Sequence, residues 1–244
     1  MKVELLHNTP LWVADKAIGK CWNKPTPNVV TYIKDEFGVP PSDYKSVKPG
    51  CNTERIERVA NKNKHASTIE HLNYTFDIDG ISRACLQELA RHRMASLSVK
   101  STRYTLKELK EEEPFTPTPM GQDLRVLSGK ICFKDTDIYK RASKYLVMTN
   151  EYLVDYSSIQ ALNNLRDTII KNVANDKAKY CMPEAYKTSL VWTINARSLQ
   201  NFLALRTSKA ALAEIRELAY EVYESLPEDH KFLFTECVTN SDNK

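Results

Sequence analysis

TSLVWTINARSLQNFLALR, residues 188–206, changes its period halfway along. TSLVWTI, 188–194, is apolar and β-branched and predicts a strand. From residue 196 onward the spacing is helical. Leu199, Phe202 and Leu203 fall at i, i+3 and i+4 and should face a core, which predicts a helix over 196–206. Arg197 and Asn201 are four apart, share the other face, and point outward or into a cleft. Asn195 stands at the junction, where its side chain can cap the helix or reach a ligand.

Outward from this stretch the same two periods recur. Downstream, 208–226 reads as a helix ended by Pro227, with a short helix at 229–237. Upstream, 2–6 reads as a strand and 9–22 as a helix, with Thr9 as N-cap and Pro10 at the first helical position. Five of the 11 prolines lie within 25–49, so 25–50 is expected to be a Pro-rich surface excursion around one short element near 29–37. Residues 52–63 read as a helix, and NYTFDID, 73–79, as a strand ended by Gly80. Residues 81–92 read as a helix with Ile81, Cys85, Leu86 and Leu89 on its apolar side. PFTPTP, 114–119, cannot be regular. Between 135 and 175, Tyr139, Leu146, Tyr152, Leu153, Leu162, Leu165 and Ile169 recur at helical spacing and suggest two helices. The mixture predicts one α+β domain over 1–244.

Composition excludes several classes. The chain has 244 residues, a formal charge of +4 and 42% hydrophobic residues, ordinary values for a globular protein. There are six glycines, no two within three residues of each other. A Rossmann fingerprint and a P-loop both need closely spaced glycines to bring backbone N–H groups to phosphate. If nucleotides bind, side chains must hold their phosphates. The sequence has no G-x-S-x-G elbow. Cys21, Cys51, Cys85, Cys132, Cys181 and Cys237 are scattered, without C-x-x-C, and read as buried reduced thiols. The opening MKVELLHNTPLW carries acid and polar groups where a signal peptide needs an apolar core, and no apolar run reaches membrane length. A cytoplasmic protein is expected, without membrane attachment.

The arginines are distributed unevenly. From Leu89 to Lys107 there is no acid in 19 residues, yet Arg91, His92, Arg93, Lys100, Arg103 and Lys107 are present. From Ala185 to Ala213 there is no acid in 29 residues, with Lys187, Arg197, Arg206 and Lys209 present. At the chain's overall acid frequency, these windows together would hold about six acids. Both are rich in Ser, Thr and Arg, and the second adds Asn195 and Asn201; these are the side chains that bind phosphate where glycine loops are missing. A solvated basic face would carry the same charges. Against it, RHRMASLSVKSTRY interleaves Met94, Ala95, Leu97 and Val99 with the charges, so some are expected near buried surface, where a bound anion offsets the cost. Glu88 lies three before Arg91 and four before His92, placed to pair with them or to orient a ligand. HASTIEH, 65–71, offers His65 and His71 but no third ligand, so no metal is expected.

Three of these segments resemble one family. RHRMASLSVKSTRY, 91–104, is similar to the signature of flavin-dependent thymidylate synthases: Arg-His-Arg, seven residues, then Ser101, Arg103 and Tyr104. MPEAYKTSLVWTINARSLQNFLALR, 182–206, resembles that family's second block, and HASTIEH its flavin-contacting segment. The resemblance implies the family's fold, a mainly antiparallel sheet flanked by helices. It also implies synthesis of dTMP from dUMP, with methylenetetrahydrofolate as carbon donor and NADPH-reduced FAD as reductant, in a homotetramer with active sites at subunit interfaces.

By motif position, the resemblance assigns FAD to Arg91, His92, Arg93, Val99, Asn195, Ala196, Arg197 and Asn201, with His65 and Ser67 near it. It assigns dUMP to Glu88, Leu89, Ala90, Arg91, Val99, Lys100, Ser101, Thr102, Arg103, Lys179 and Arg206. Arg206 would be catalytic, favouring ionisation at the uracil N3. The chain departs from the family in two places. Lys179 stands where many members have arginine, keeping the charge but losing the bidentate fork. Val99 stands where many have Glu or Gln. No partner at recognisable spacing activates Ser101 as a nucleophile, so it is expected to bind substrate. Two other readings use the same residues: a single-stranded RNA-binding module with Tyr104 and Trp192 for stacking, and a nucleotide-binding flavin oxidoreductase without methyl transfer.

Overall fold

The computed structural model describes residues 1–24, 28–32, 45–102, 106–116, 134 and 136–239. The chain opens with β1 (Lys2–Asn8) and α1 (Trp12–Cys21), then β2 (Asn28–Tyr32) and β3 (Lys45–Pro49). Next come α2 (Thr53–Glu57), a π-helical turn (Arg58–Lys62) and a 3-10 turn (Ala66–Ile69). They are followed by β4 (Asn73–Ser82), α3 (Arg83–Leu89), β5 (Ala95–Val99) and a 3-10 turn (Leu106–Lys110). The second half holds α4 (Asp137–Ala142), α5 (Tyr152–Ile170), α6 (Asn175–Ala178), β6 (Lys187–Asn195), α7 (Ala196–Arg206) and α8 (Ala213–Glu224). Two 3-10 turns, Glu228–Leu233 and Thr235–Cys237, follow α8. Strands β1, β4, β6 and β5 form, in that order, a four-stranded antiparallel sheet, so the fold is α+β.

The residues gather into two compact units, and β4, β5 and β6 each contribute to both. The first comprises 1–2, 78–91 and 97–191. Its core joins Leu106, Leu109 and Phe115 to Tyr139, Ala142 and Leu146, and to Ile159, Leu162, Leu165 and Ile169 of α5. The second comprises 3–77, 92–96 and 192–244. Alternation along β4 and β6 buries Tyr74, Phe76, Trp192 and Ile194, as period-2 strands require. Trp192 packs between Phe76 and Phe202, and its Nε1–H is buried without a hydrogen-bonding partner. Asp15 of α1, fully buried, pairs with Arg55 of α2 and accepts from the Asn52 N–H, tying the two helices.

Several expectations need correction. Thr9 does not cap α1: its Oγ1 accepts the Asn73 N–H (3.1 Å), and the helix begins at Trp12 without a side-chain cap. The β1-to-α1 connection is thereby tied to β4. The Pro-rich excursion contains two strands, with Asn28 opposite Pro49 and Tyr32 opposite Lys45; 33–44 lie outside the described residues. Gly80 does not end β4, which runs on to Ser82 through a left-handed Gly80 (φ +78°). The helix after it is shorter than 81–92. Ser82 caps it by accepting from the Cys85 N–H (2.9 Å), so Ile81 belongs to the strand.

Leu146 lies in extended chain rather than helix. It bridges Tyr186, and Val147 N donates to the Ala185 carbonyl (2.8 Å). Leu153, expected on an apolar helix face, is 63% exposed. β5 forms within the signature segment, where the sequence reading places no strand. Of the described cysteines only Cys85 is buried, while Cys21, Cys51 and Cys181 are exposed. Cys132 and residues 117–119 lie outside the described residues. No helix among the described residues is long and apolar enough to cross a membrane.

Candidate functional site

The site begins at the junction of β6 and α7. Asn195 caps α7, its Oδ1 accepting the Ser198 N–H at 2.9 Å. Ala196 is buried, and its N–H donates to the Leu72 carbonyl (2.8 Å). These bonds fix where the helix starts and so which way it faces. Leu199, Phe202 and Leu203 are fully buried as the spacing predicts, leaving Arg197 and Asn201 exposed. Arg206, in the last turn, projects half-buried.

Arg206 meets the other acid-free window. Its Nε–H donates to Nε2 of His92 at 3.0 Å. The His92 ring stands edge-on to Phe202, with centroids 5.0 Å apart and planes at 82°. Two segments 114 residues apart are therefore joined through a histidine acceptor and an arginine donor. Arg93 and Met94 beside His92 are exposed. Among the described residues of 91–104, the expectation that charges sit near buried surface holds for His92, while Arg91, Arg93 and Lys100 are exposed. β5 is an edge strand in which only Ala95 and Leu97 are half-buried.

A second group lies at the far end of α7. A cavity of about 340 Å³ is lined by Cys21, Trp22, Val59, Lys64, His65, Ala66, Ser67, Thr68 and Arg197. Its size is within the range of ligand pockets, about 300–1,000 Å³. Two cations, two hydroxyls, an imidazole and an indole suit an anionic ligand carrying an aromatic ring. Beyond the π-helical turn, Lys64 is left-handed (φ +55°) and the His65 N–H bonds to the Val59 carbonyl (3.0 Å), which delivers His65 and Ser67 to the cavity. Arg197 is paired with Glu70 through Nη1 and Oε1 at 2.5 Å.

The other sequence-derived candidates belong to the first unit. Glu88 is half-buried and pairs with exposed Arg91 at 3.5 Å. Leu89 is fully buried in the core, so only its backbone is free to meet a ligand, whereas Ala90 is exposed. Val99, Lys100 and Ser101 are exposed and Thr102 half-buried, with the Lys100 N–H bonded to the Ser189 carbonyl (2.8 Å). Lys179 is exposed at the start of a 3-10 turn. Arg103 and Tyr104 lie outside the described residues. No group of three or more metal-ligating side chains occurs among the described residues.

Sequence reasoning missed Cys21, Trp22, Lys64 and Glu70. Only Glu70 left a signal, as the one acid within HASTIEH; the others reach the cavity by tertiary packing.

Comparison with known proteins bears on the same segments. The family model described as thymidylate synthase complementing protein matches residues 20–230. The flavin-dependent thymidylate synthase of Wolinella succinogenes is 50% identical over 96% of this chain and 97% of its own length. That of Campylobacter jejuni is 49% identical over 98% of each. A crystal structure of thymidylate synthase X from Helicobacter pylori with FAD and dUMP superposes with a TM-score of 0.76. It is 42% identical and covers 98% of this chain and 100% of that one. The matches run through the arginine-histidine contact and the cavity alike, and the chain belongs to the flavin-dependent thymidylate synthase family.

Proposed function

We propose that the protein is a flavin-dependent thymidylate synthase that methylates dUMP reductively to dTMP. Methylenetetrahydrofolate supplies the carbon and NADPH the reducing equivalents. The observation that carries the reading is the His92–Arg206 bond, which joins the two acid-free windows. FAD fits the residues present: His65, Ser67 and Arg197 line one cavity with the indole of Trp22. Exposed Asn201 lies four residues on from Arg197, one turn further along α7. Arg91, His92, Arg93, Val99, Asn195 and Ala196 complete the assignment by motif position. When bound, FAD supplies the redox chemistry that carries electrons from NADPH.

The chain's own residues bind and polarise. Arg206 lies beside the pyrimidine and stabilises negative charge on the ring, a role for which a preorganised guanidinium is suited. Glu88, Leu89, Ala90, Arg91, Val99, Lys100, Ser101, Thr102, Arg103 and Lys179 serve the nucleotide. Without glycine loops, countercharge comes from arginine and lysine. The chain works as one domain over 1–244, in a cytoplasmic homotetramer whose active sites are completed at interfaces. Such assembly gives a role to the exposed Met94 and Val99 of the signature segment.

Purified protein should be yellow and should form dTMP only when dUMP, methylenetetrahydrofolate, FAD and NADPH are all present. Arg206→Ala should keep FAD and lose turnover by about 10²-fold or more, the scale of losing a charge-stabilising donor. Normal turnover of that variant overturns the role. A colourless protein that binds RNA with steep salt dependence overturns the function.

A further inference from the structure

We propose that His92 is a positioning residue for Arg206, acting as a neutral Nδ1–H imidazole whose Nε2 accepts the Arg206 Nε–H. The inference rests on the thymidylate synthase reading for its substrate, dUMP, and on this chain's geometry for the rest.

An arginine on the last turn of a helix has four rotatable side-chain bonds, and an end-on charge interaction alone leaves its plane free to turn. A hydrogen bond at Nε removes that freedom and sets the plane of the guanidinium fork. Here the bond is 3.0 Å. It requires a lone pair on Nε2, so the ring proton must sit on Nδ1. A protonated imidazole has no lone pair to offer and would oppose the guanidinium.

The ring itself is held. Phe202 presents an edge-to-face contact at 82°. Phe202 is fully buried and is set in turn against Trp192 at 5.0 Å. Phe202 and Arg206 are four apart on α7, so one helix face carries both the ring that tilts the imidazole and the guanidinium that bonds to it. The inner sheet strand β6, through Trp192, thus fixes the plane in which Arg206 is presented.

Two measurements test this. In protein labelled with 15N-histidine, long-range 1H–15N correlation should give His92, assigned by the signal lost in His92→Gln, as the Nδ1–H tautomer at pH 8; an Nε2–H tautomer overturns the proposal. Second, dUMP affinity is measured by calorimetry on the FAD-loaded protein. His92→Ala should weaken dUMP about ten-fold. His92→Gln, whose amide oxygen can accept at the Nε2 position, should restore binding to within about three-fold of the parent. In an Arg206→Ala background, His92→Ala should cost nothing further, because coupled residues are non-additive. Equal losses for Ala and Gln, or full additivity, overturn the proposal. A parent protein that binds no dUMP overturns the functional reading instead and leaves the tautomer result standing.

Discussion

Glu70 pairs with Arg197, one of the two cations that line the cavity. Its carboxylate holds Arg197, and both side chains are about half exposed. Such a pair is worth about 1 kcal/mol or less. Glu70→Gln should therefore release Arg197 and tighten FAD by at most about five-fold, read as the flavin dissociation constant at low salt, with the gain shrinking as salt rises. Weaker flavin binding would mean that Glu70 orients the arginine usefully. At this scale the sequence was informative where side chains act locally. The shared outward face of Arg197 and Asn201 follows from spacing, and of the two roles open to Asn195 the structure shows the cap. Trp22 and Lys64 do not follow from spacing, because their approach depends on where α1 ends and how the π-helical turn leaves α2, and neither has a period to read.

Elements were legible where one period ran long enough. β6 and α7 follow the sequence closely, as do β4's Tyr74, Phe76 and Ile78. β4 shows why ends are harder. Glycine usually interrupts a strand, but here it supplies the left-handed residue through which the strand continues. A methyl group built on Gly80 would meet Met1 Cα at 3.8 Å, ordinary contact, so space is not the obstacle. Gly80→Ala should cost about 1–2 kcal/mol from the φ alone, measured by urea unfolding. A neutral result would mean the strand relaxes out of that conformation. The missed β5 has alternating Ala95, Leu97 and Val99, masked by charges on either side. The Leu146 segment shares its spacing with true helices, but its bonds go to Tyr186 and Ala185.

Molecular stability should carry a histidine signature. His230 is 2% exposed, its Nδ1 lies 2.8 Å from the Tyr74 hydroxyl, and Asn8 approaches Nε2 at 3.4 Å. Burial lowers its pKa below the usual 6.5, with the Asp229 carboxylate acting in the opposite direction. The unfolded chain therefore takes up a proton near pH 6.5 while the folded chain resists. Stability is fully present above about 6.5 and falls as acid is added below it, by at most about 1.4 kcal/mol per pH unit. His230→Gln should flatten that slope in thermal melts between pH 7 and 5; an unchanged slope would assign it to other groups.

The π-helical turn over Arg58–Lys62 has a consequence for variation in the chain. One residue of helix corresponds to a rotation of about 100°. The direction in which His65 and Ser67 arrive is thus set by how many residues precede them, more than by which. Arg58 and Lys62 are exposed and replaceable, so alanine at either should leave flavin retention intact, whereas deleting a single residue there should abolish it. Drift in spelling is harmless at these two exposed positions; a lost codon is not.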